Sequence, residues 1–287
     1  MAWKKLTNLK SLYGKVSKVA RAGFAAGIAT MMLAVAAPAA HADGYWQGVQ
    51  KRGALRCAFA TSPPYSLKDV KTGEYGGAYL DLCKQFAAVL GVKIEFVDTT
   101  WDNIVAGLQS GKWDMSPALN RTPARALSIN FSRIVGYDES NFAYMTASPV
   151  VKDPNPDLSS IDQPNVRVGV MSGTAQDKAI SARLTKATIV RLPTTDALNL
   201  ALLSNRIDIL FADAVTNMLF QEVNGDKVKV LEAVPALMKQ GISFGLPTAV
   251  TWQDMQVLDI FLEEKIQLGL VDADMKHWGE YVLNAGK

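Results

Sequence analysis

The chain has 287 residues, of which 49% are hydrophobic and 20% charged, so it can bury the core of one large or two modest domains. This composition excludes a disordered or fibrous protein. Only two cysteines and two histidines occur, without metal-ligand spacing between them, so a fold built around zinc is not indicated.

Residues 1–42 have the pattern of a cleavable secretory signal peptide. Six basic and no acidic residues lie in the first 21 positions, an apolar stretch runs from Ala22 to Ala37, and Pro38-Ala39-Ala40-His41-Ala42 follows with a small-x-small end. We predict cleavage after Ala42 and a mature protein outside the cytoplasm. A permanent membrane anchor is the alternative, but this apolar stretch is short for a membrane span.

Removing this segment changes the charge of the chain. The formal net charge of the whole sequence is +3, from 30 basic and 27 acidic residues. Six basic residues leave with the signal, so 24 remain against 27 acidic residues and the mature chain 43–287 carries about −3. Without a basic stripe, nucleic-acid binding is not indicated.

The first half of the mature chain alternates strand and helix patterns. The order strand, helix, strand, helix, strand is predicted at residues 55–59, 80–90, 92–97, 101–109 and 114–117. We expect the last of these strands to break at Pro117. This order predicts parallel strands joined by crossover helices.

A second unit repeats this order after a proline-rich loop at residues 149–164. Its strands and helices are predicted at residues 166–170, 174–184, 188–192, 195–204 and 207–211. A final helix is predicted at 252–268 and should pack back onto one of the units. Two similar α/β units predict two lobes with a cleft between them.

Several motifs follow one another in a fixed order along the mature chain. They are Pro63-Pro64-Tyr65, Gly76-Gly77, Leu108-Gln109-Ser110-Gly111-Lys112-Trp113-Asp114, Leu119-Asn120-Arg121-Thr122-Pro123-Ala124-Arg125, Val168-Gly169-Val170, Gly173-Thr174, Asp208 and Asp213. In this order and spacing they resemble the type II periplasmic solute-binding proteins of the polar amino-acid family, which are the receptors of ABC transporters.

The resemblance implies two α/β lobes with mixed, mostly parallel sheets, joined by a two-strand hinge near residues 141–146 and 241–246. Lobe 1 would comprise residues 43–142 and 244–287, and lobe 2 residues 143–243. It further implies a monomeric periplasmic receptor without a cofactor or metal. Its partners would be an amino-acid ligand and the membrane permease subunits of an ABC transporter.

The resemblance also assigns the two charged groups of the ligand. Arg125 would hold the α-carboxylate, because a planar guanidinium offers paired donors that match it. Asp213 would accept hydrogen bonds from the α-ammonium, since a buried ammonium needs a compensating charge. Each residue has a structural alternative: Arg125 could begin a surface helix after Thr122-Pro123, and Asp213 could cap a helix.

Five further positions are polar or backbone candidates. The Thr174 hydroxyl and the backbone N–H groups of Ala175 and Gln176 could bind a carboxylate at a helix N-terminus, although Thr174 could also be an ordinary N-cap. Asn120 could contact the ligand through its amide. Ala118 stands where relatives carry a hydroxyl residue, and offers only its backbone carbonyl.

Two aromatic residues complete the candidate set. Trp101 could stack on the ligand side chain or belong to the core, and Tyr65 could close the mouth of the cleft. No acidic residue lies between Phe59 and Tyr65, where receptors for cationic amino acids often supply one. This argues mildly against lysine, arginine or histidine as the ligand.

Cys57 and Cys83 fall on the first strand and the first helix of the first unit. An even cysteine count in an exported chain favours a disulfide between them. Two buried free thiols are the alternative.

The main alternative function is an enzyme on the same fold. Periplasmic cyclohexadienyl (arogenate or prephenate) dehydratases resemble these receptors and use an acid in the second-lobe anion turn as the proton donor. Gln176 stands in that turn here and cannot donate a proton at neutral pH, while Asp177 lies one residue later. Because no Ser-His or Cys-His set is available either, we expect a receptor with no enzymatic activity. It would serve transport or signalling.

Overall fold

A computed structural model describes residues 44–285, except for positions 70, 149, 152–156, 233 and 234. The predicted signal peptide and its cleavage site lie outside the described residues, as does part of the predicted 149–164 loop.

The first group of elements forms an α/β unit. In chain order it contains α1 (Tyr45–Arg52), β1 (Ala54–Phe59), β2 (Leu67–Lys68), β3 (Tyr75–Gly76), α2 (Ala78–Leu90), β4 (Lys93–Asp98), α3 (Ile104–Gln109), β5 (Ser116–Asn120), α4 (Pro123–Ala126) and β6 (Asn130–Phe131). Strands β1 and β4 pair in parallel through the crossover helix α2, as the sequence predicts. Gly91 ends α2 in the left-handed conformation, with φ 70°, which glycine adopts without a steric penalty.

The second group of elements forms the other α/β unit and is followed by a return to the first. It contains β7 (Gly136–Met145), α5 (Leu158–Ile161), β8 (Arg167–Met171), α6 (Ala175–Ser181), β9 (Thr188–Leu192), α7 (Thr195–Leu203), β10 (Ile209–Asp213), α8 (Ala214–Asn224), a 3₁₀ turn (Gly225–Lys227) and β11 (Val228–Leu231). The return consists of β12 (Lys239–Leu246), α9 (Trp252–Gln267) and α10 (Leu270–Ala285). Strand β8 is parallel to β9 and β10, whereas β7 is antiparallel to β10 and β11, so this sheet is mixed.

Strands β7 and β12 connect the two lobes. Residues 136–139 of β7 pair with β12, and residues 140–144 pair with β10, so β7 changes partner between Glu139 and Ser140. Residues 242–246 of β12 pair with β5 and β6 of lobe 1. The change of partner in β7 precedes the predicted hinge residues 141–146, because β7 continues as an unbroken strand through the change and leaves no signal in the sequence. The change of partner in β12, at Ile242, lies within the predicted range 241–246. The exact lobe boundaries stay a prediction.

The predicted break at Pro117 is wrong, because β5 continues through it. The ladder between β5 and β12 is irregular between Ser243 and Gly245, opposite Pro117 and Ala118. A proline at such an irregularity removes no regular ladder hydrogen bond. Ala118 lies beside it with φ 59°, in the left-handed region that non-glycine residues rarely adopt.

The two C-terminal helices complete the core of lobe 1, as predicted for residues 252–268. Leu258, Phe261 and Leu262 of α9 are buried in one cluster with Leu82 and Phe86 of α2. Helix α10 is tied to the same lobe, since the Trp278 indole donates to Asp81 at 2.7 Å and the Tyr281 hydroxyl donates to Asp69. Among the described helices, none is long and apolar enough to cross a membrane.

A disulfide joins Cys57 of β1 to Cys83 of α2, the pairing that the even cysteine count favours. Both residues are fully buried in the core of lobe 1. The bond therefore fastens the first strand of the sheet to the helix that packs on it.

Candidate functional site

A cavity between the two lobes brings most of the predicted site residues together. Eight of the nine candidates line it: Tyr65, Trp101, Ala118, Asn120, Arg125, Thr174, Gln176 and Asp213. Ala175, a candidate through its backbone N–H, is the exception; it is the buried first residue of α6 and is not among the lining residues. Other lining residues include Asp138, Met171, Leu198 and Asn199, which the sequence did not indicate.

Arg125 is a buried cation held by backbone carbonyls. It follows the N-cap Thr122, whose hydroxyl accepts the Arg125 N–H at 3.2 Å, but its side chain is only 6% exposed, so the surface alternative is wrong. Its guanidinium donates to the carbonyl oxygens of Asn120 at 3.1 Å and Gly173 at 3.4 Å. Among the described residues, no ion pair involves Arg125. Burial lowers its pKa to about 10, which leaves it charged at neutral pH.

Asp213 ends β10 and caps α8, so the predicted capping role is present. Its Oδ1 accepts the backbone N–H of Thr216 at 2.9 Å and the hydroxyl of Tyr65 at 3.3 Å. Burial raises the pKa of Asp213, and it also raises the pKa of Tyr65, whose hydroxyl therefore stays a neutral donor. A capping carboxylate with a free lone pair can still accept from a ligand.

Asp138 is a second buried carboxylate in the cavity. It lies on β7 two residues before Ser140, which pairs with Asp213, so the two carboxylates project from the same face of neighbouring strands. Its Oδ2 accepts from Asn120 Nδ2 at 2.6 Å and from Gln176 Nε2 at 2.8 Å. Its Oδ1 is buried without a hydrogen-bond partner among the described residues.

Two effects shift the ionisation of Asp138. Burial is the larger effect and the negative charge of Asp213 is the next, and together they raise the pKa of Asp138 to about 7. Asp138 begins the polar run Asp138-Glu139-Ser140-Asn141 of β7, and no motif in the sequence marks it as a site residue.

The turn before α6 has the second of the two arrangements predicted for it, the N-cap. The Thr174 hydroxyl accepts the Asp177 N–H at 3.1 Å and donates to the Met171 carbonyl at 2.7 Å, which is the ordinary N-cap arrangement. The Asp177 carboxylate accepts from Arg191 Nε at 2.9 Å and is not among the cavity-lining residues. Gln176 is the residue of this turn that reaches the cavity with its side-chain amide.

Trp101 forms one wall of the cavity and also belongs to a core cluster, so both predicted roles are present in part. It lies in the turn before α3 and not within the helix, and its indole N–H donates to the Thr61 carbonyl at 3.2 Å. Ala118 packs beside it.

Hydrogen bonds join the two lobes around the cavity. Ser172 Oγ donates to Asp102 Oδ1 at 3.1 Å, and Thr216 Oγ1 donates to the Pro63 carbonyl at 2.9 Å. The backbone of Asp102 lies so close to Gly173 that a Cβ there would approach it to 2.5 Å. The described conformation is therefore a closed one, in which residues from both lobes meet over the cavity.

Comparisons with known proteins agree with this fold. The family model of bacterial extracellular solute-binding proteins, family 3, matches residues 55–165. The chain is 24% identical over 246 residues to the cyclohexadienyl dehydratase of Pseudomonas aeruginosa, covering 81% of this chain and 85% of the relative. It is 25% identical over 228 residues to a probable histidine-binding protein of Campylobacter jejuni, covering 78% of this chain and 85% of that relative.

A solved structure extends the agreement to the backbone. The chain superposes with a TM-score of 0.72 and 26% identity on an ancestral amino acid-binding protein described as a precursor of cyclohexadienyl dehydratase, over 81% of this chain and 98% of that one.

The lobes and the cavity between them define a two-lobed α/β fold of the kind that solute-binding proteins have. The family match and the amino-acid-binding relatives confirm the resemblance to type II periplasmic solute-binding proteins of the polar amino-acid family. Because the relatives include both a binding protein and an enzyme, the activity has to be argued from the site itself.

Proposed function

We propose that the mature chain is a periplasmic receptor that closes around an α-amino acid and delivers it to an ABC-type importer. The observation that carries this proposal is the buried guanidinium of Arg125, which has no acidic partner among the described residues and lines the same cavity as Asp213. A buried cation and a buried anion in one cavity match the carboxylate and ammonium of a zwitterion.

The proposed mechanism couples ligand binding to closure. Arg125 and Asn120 come from lobe 1, whereas Asp213, Thr174 and Gln176 come from lobe 2. A zwitterion held at both ends would therefore bridge the lobes and favour the closed state over the open one. The closed form would then be the one presented to the permease, or to a sensor if the chain serves signalling.

An enzyme of the cyclohexadienyl dehydratase type is the second candidate. Its support is the similarity over 81% of the chain, together with the raised pKa of Asp138, which is a property of a proton donor. Arogenate and prephenate each carry two carboxylates, however, and this cavity offers one guanidinium against two aspartates. That charge balance favours the receptor.

Calorimetric titration tests the proposal. Residues 43–287, freed of ligand by unfolding and refolding, are titrated with the twenty amino acids, and with arogenate and prephenate under product detection. We expect binding of one group of amino acids without turnover, weakened at least about tenfold in Arg125→Ala and Asp213→Ala, because each removes a charge-assisted hydrogen bond.

Arg121→Ala is the matched control, since Arg121 is an exposed arginine four residues before Arg125. It should bind like the wild type. Absence of amino-acid binding, or formation of product from prephenate or arogenate, contradicts the receptor and favours the enzyme.

A further inference from the structure

The charges that line the cavity do not balance for a neutral amino acid. Its charged lining residues are Arg125, Asp138 and Asp213. A zwitterion adds one carboxylate and one ammonium, so one carboxylate of the protein is left without a counter-charge. An unpaired buried carboxylate is unfavourable unless it takes up a proton or meets a second cation.

The hydrogen-bonding groups of the cavity also favour a ligand that carries an additional donor. Asp138 uses Oδ2 for Asn120 and Gln176, and its Oδ1 is buried without a donor. The Oδ1 atom of Asn199, on α7, is likewise buried without a donor among the described residues. Both residues line the cavity, so two acceptor atoms there lack partners that a ligand rich in N–H groups would supply.

The position of Asp138 ties it to the closed state. Its two donors come from different lobes, Asn120 from β5 and Gln176 from α6, and the carboxylate itself lies on β7 beside the point where that strand passes between the lobes. A cation bound at Asp138 would therefore be enclosed by groups that converge only on closure.

We propose that Asp138 is a second cation-binding carboxylate, and that the cavity takes an α-amino acid whose side chain carries a cationic nitrogen. Arg125, the α-ammonium and the side-chain cation then balance the α-carboxylate, Asp138 and Asp213. This inference rests on the proposed receptor function. It departs from the sequence-based argument against cationic ligands, because the required acid comes from β7 and not from the segment between Phe59 and Tyr65.

Two pairs of nearly isosteric ligands test the inference by calorimetry. Arginine and citrulline differ in a guanidinium against a neutral ureido group, and lysine and norleucine differ in an ammonium against a methyl group. We expect the wild type to bind the cationic member of at least one pair at least about tenfold more tightly, the difference that one charge-assisted hydrogen bond makes.

The Asp138→Asn variant identifies the group responsible. Asparagine can still accept from both Asn120 and Gln176 through its one oxygen, so the fold is kept while the charge is removed. We expect the ratio of the affinities for the cationic and the neutral member of each pair to fall toward one in this variant. Asp138→Ser is the second variant if the first does not fold, as judged by circular dichroism. Glu139→Gln is the control, since Glu139 is the next residue on β7 and pairs with the exposed Lys239. This variant should prefer the cationic ligands to the same extent as the wild type.

The outcomes separate this inference from the proposed function. Equal affinity for the cationic and neutral members in the wild type, or an unchanged preference in Asp138→Asn and Asp138→Ser, overturns the role of Asp138 but leaves an amino-acid receptor. Failure of every amino acid to bind the wild type overturns both.

Discussion

Asp138 should make the stability of the ligand-free protein depend on pH in a direction opposite to that of most aspartates. Its pKa is raised from the ordinary value of 3.8 to about 7, so the folded state holds this proton more tightly than the unfolded state. The stabilisation is complete below about pH 4 and is lost as the pH rises through about 7. The slope from one such group is at most about 1.4 kcal/mol per pH unit.

Urea denaturation between pH 4.5 and 8 measures this effect. We expect Asp138→Asn to lose less stability over this pH range than the wild type. Burial also raises the pKa of Asp213, so Asp213 should account for part of the pH dependence that remains in the variant. If the free energy of unfolding changed with pH in the same way in the wild type and the variant, Asp138 would have its ordinary pKa in the folded protein.

The candidate site could be predicted where a residue falls in a motif, and was missed where only the tertiary structure places it. Arg125 and Asp213 follow from the family resemblance and both line the cavity. Asp138 carries no motif, and its side chain reaches the site because β7 passes between the lobes beside it. Asn199 likewise reaches the cavity from a helix whose sequence indicates only an amphipathic surface.

At the scale of elements, the disulfide should stabilise the contact between β1 and α2. The cysteines are 26 positions apart, and the loop-entropy estimate gives about 3–4 kcal/mol for a closed loop of that length. We expect reduction of the bond, or the double change Cys57→Ala and Cys83→Ala, to lower the free energy of unfolding by about this amount.

Chemical denaturation with and without a reducing agent measures the effect of the disulfide. The double alanine variant serves as its own control, because its midpoint should not respond to the reducing agent. A wild-type midpoint that also fails to respond would mean that the bond adds nothing to stability.

Elements with a clear hydrophobic period were predictable, and the others depend on contacts far along the chain. The strand at Thr188–Leu192 and the helix from Thr195 have the predicted starting points. Helices α1 and α10 were not predicted; both pack against lobe 1, where Trp46 of α1 is buried and the Trp278 indole of α10 donates to Asp81. The course of β5 through Pro117 depends on an irregularity in its partner β12.

At the scale of the whole molecule, the proposed mechanism predicts a change of shape on binding. The contacts between Ser172 and Asp102, and between Thr216 and Pro63, join the lobes only when the cleft is closed. We expect the radius of gyration in small-angle X-ray scattering to decrease when the bound amino acid is added to ligand-free protein.

The Arg125→Ala variant provides the control for closure, because it lacks the carboxylate anchor in lobe 1. Its radius of gyration should stay at the ligand-free value at a ligand concentration that saturates the wild type. An identical decrease in both proteins would mean that closure does not require the bridge between the lobes.

The disulfide has a practical consequence for following such motion. It contains both cysteines of the chain, and each is fully buried, so the native protein offers no thiol to a labelling reagent. Cysteines introduced at the exposed positions Lys112 and Lys186, one in each lobe, would therefore be the only reactive thiols. Spin labels or a pair of fluorophores attached there would report the separation of the lobes as a distance distribution, molecule by molecule, in solution.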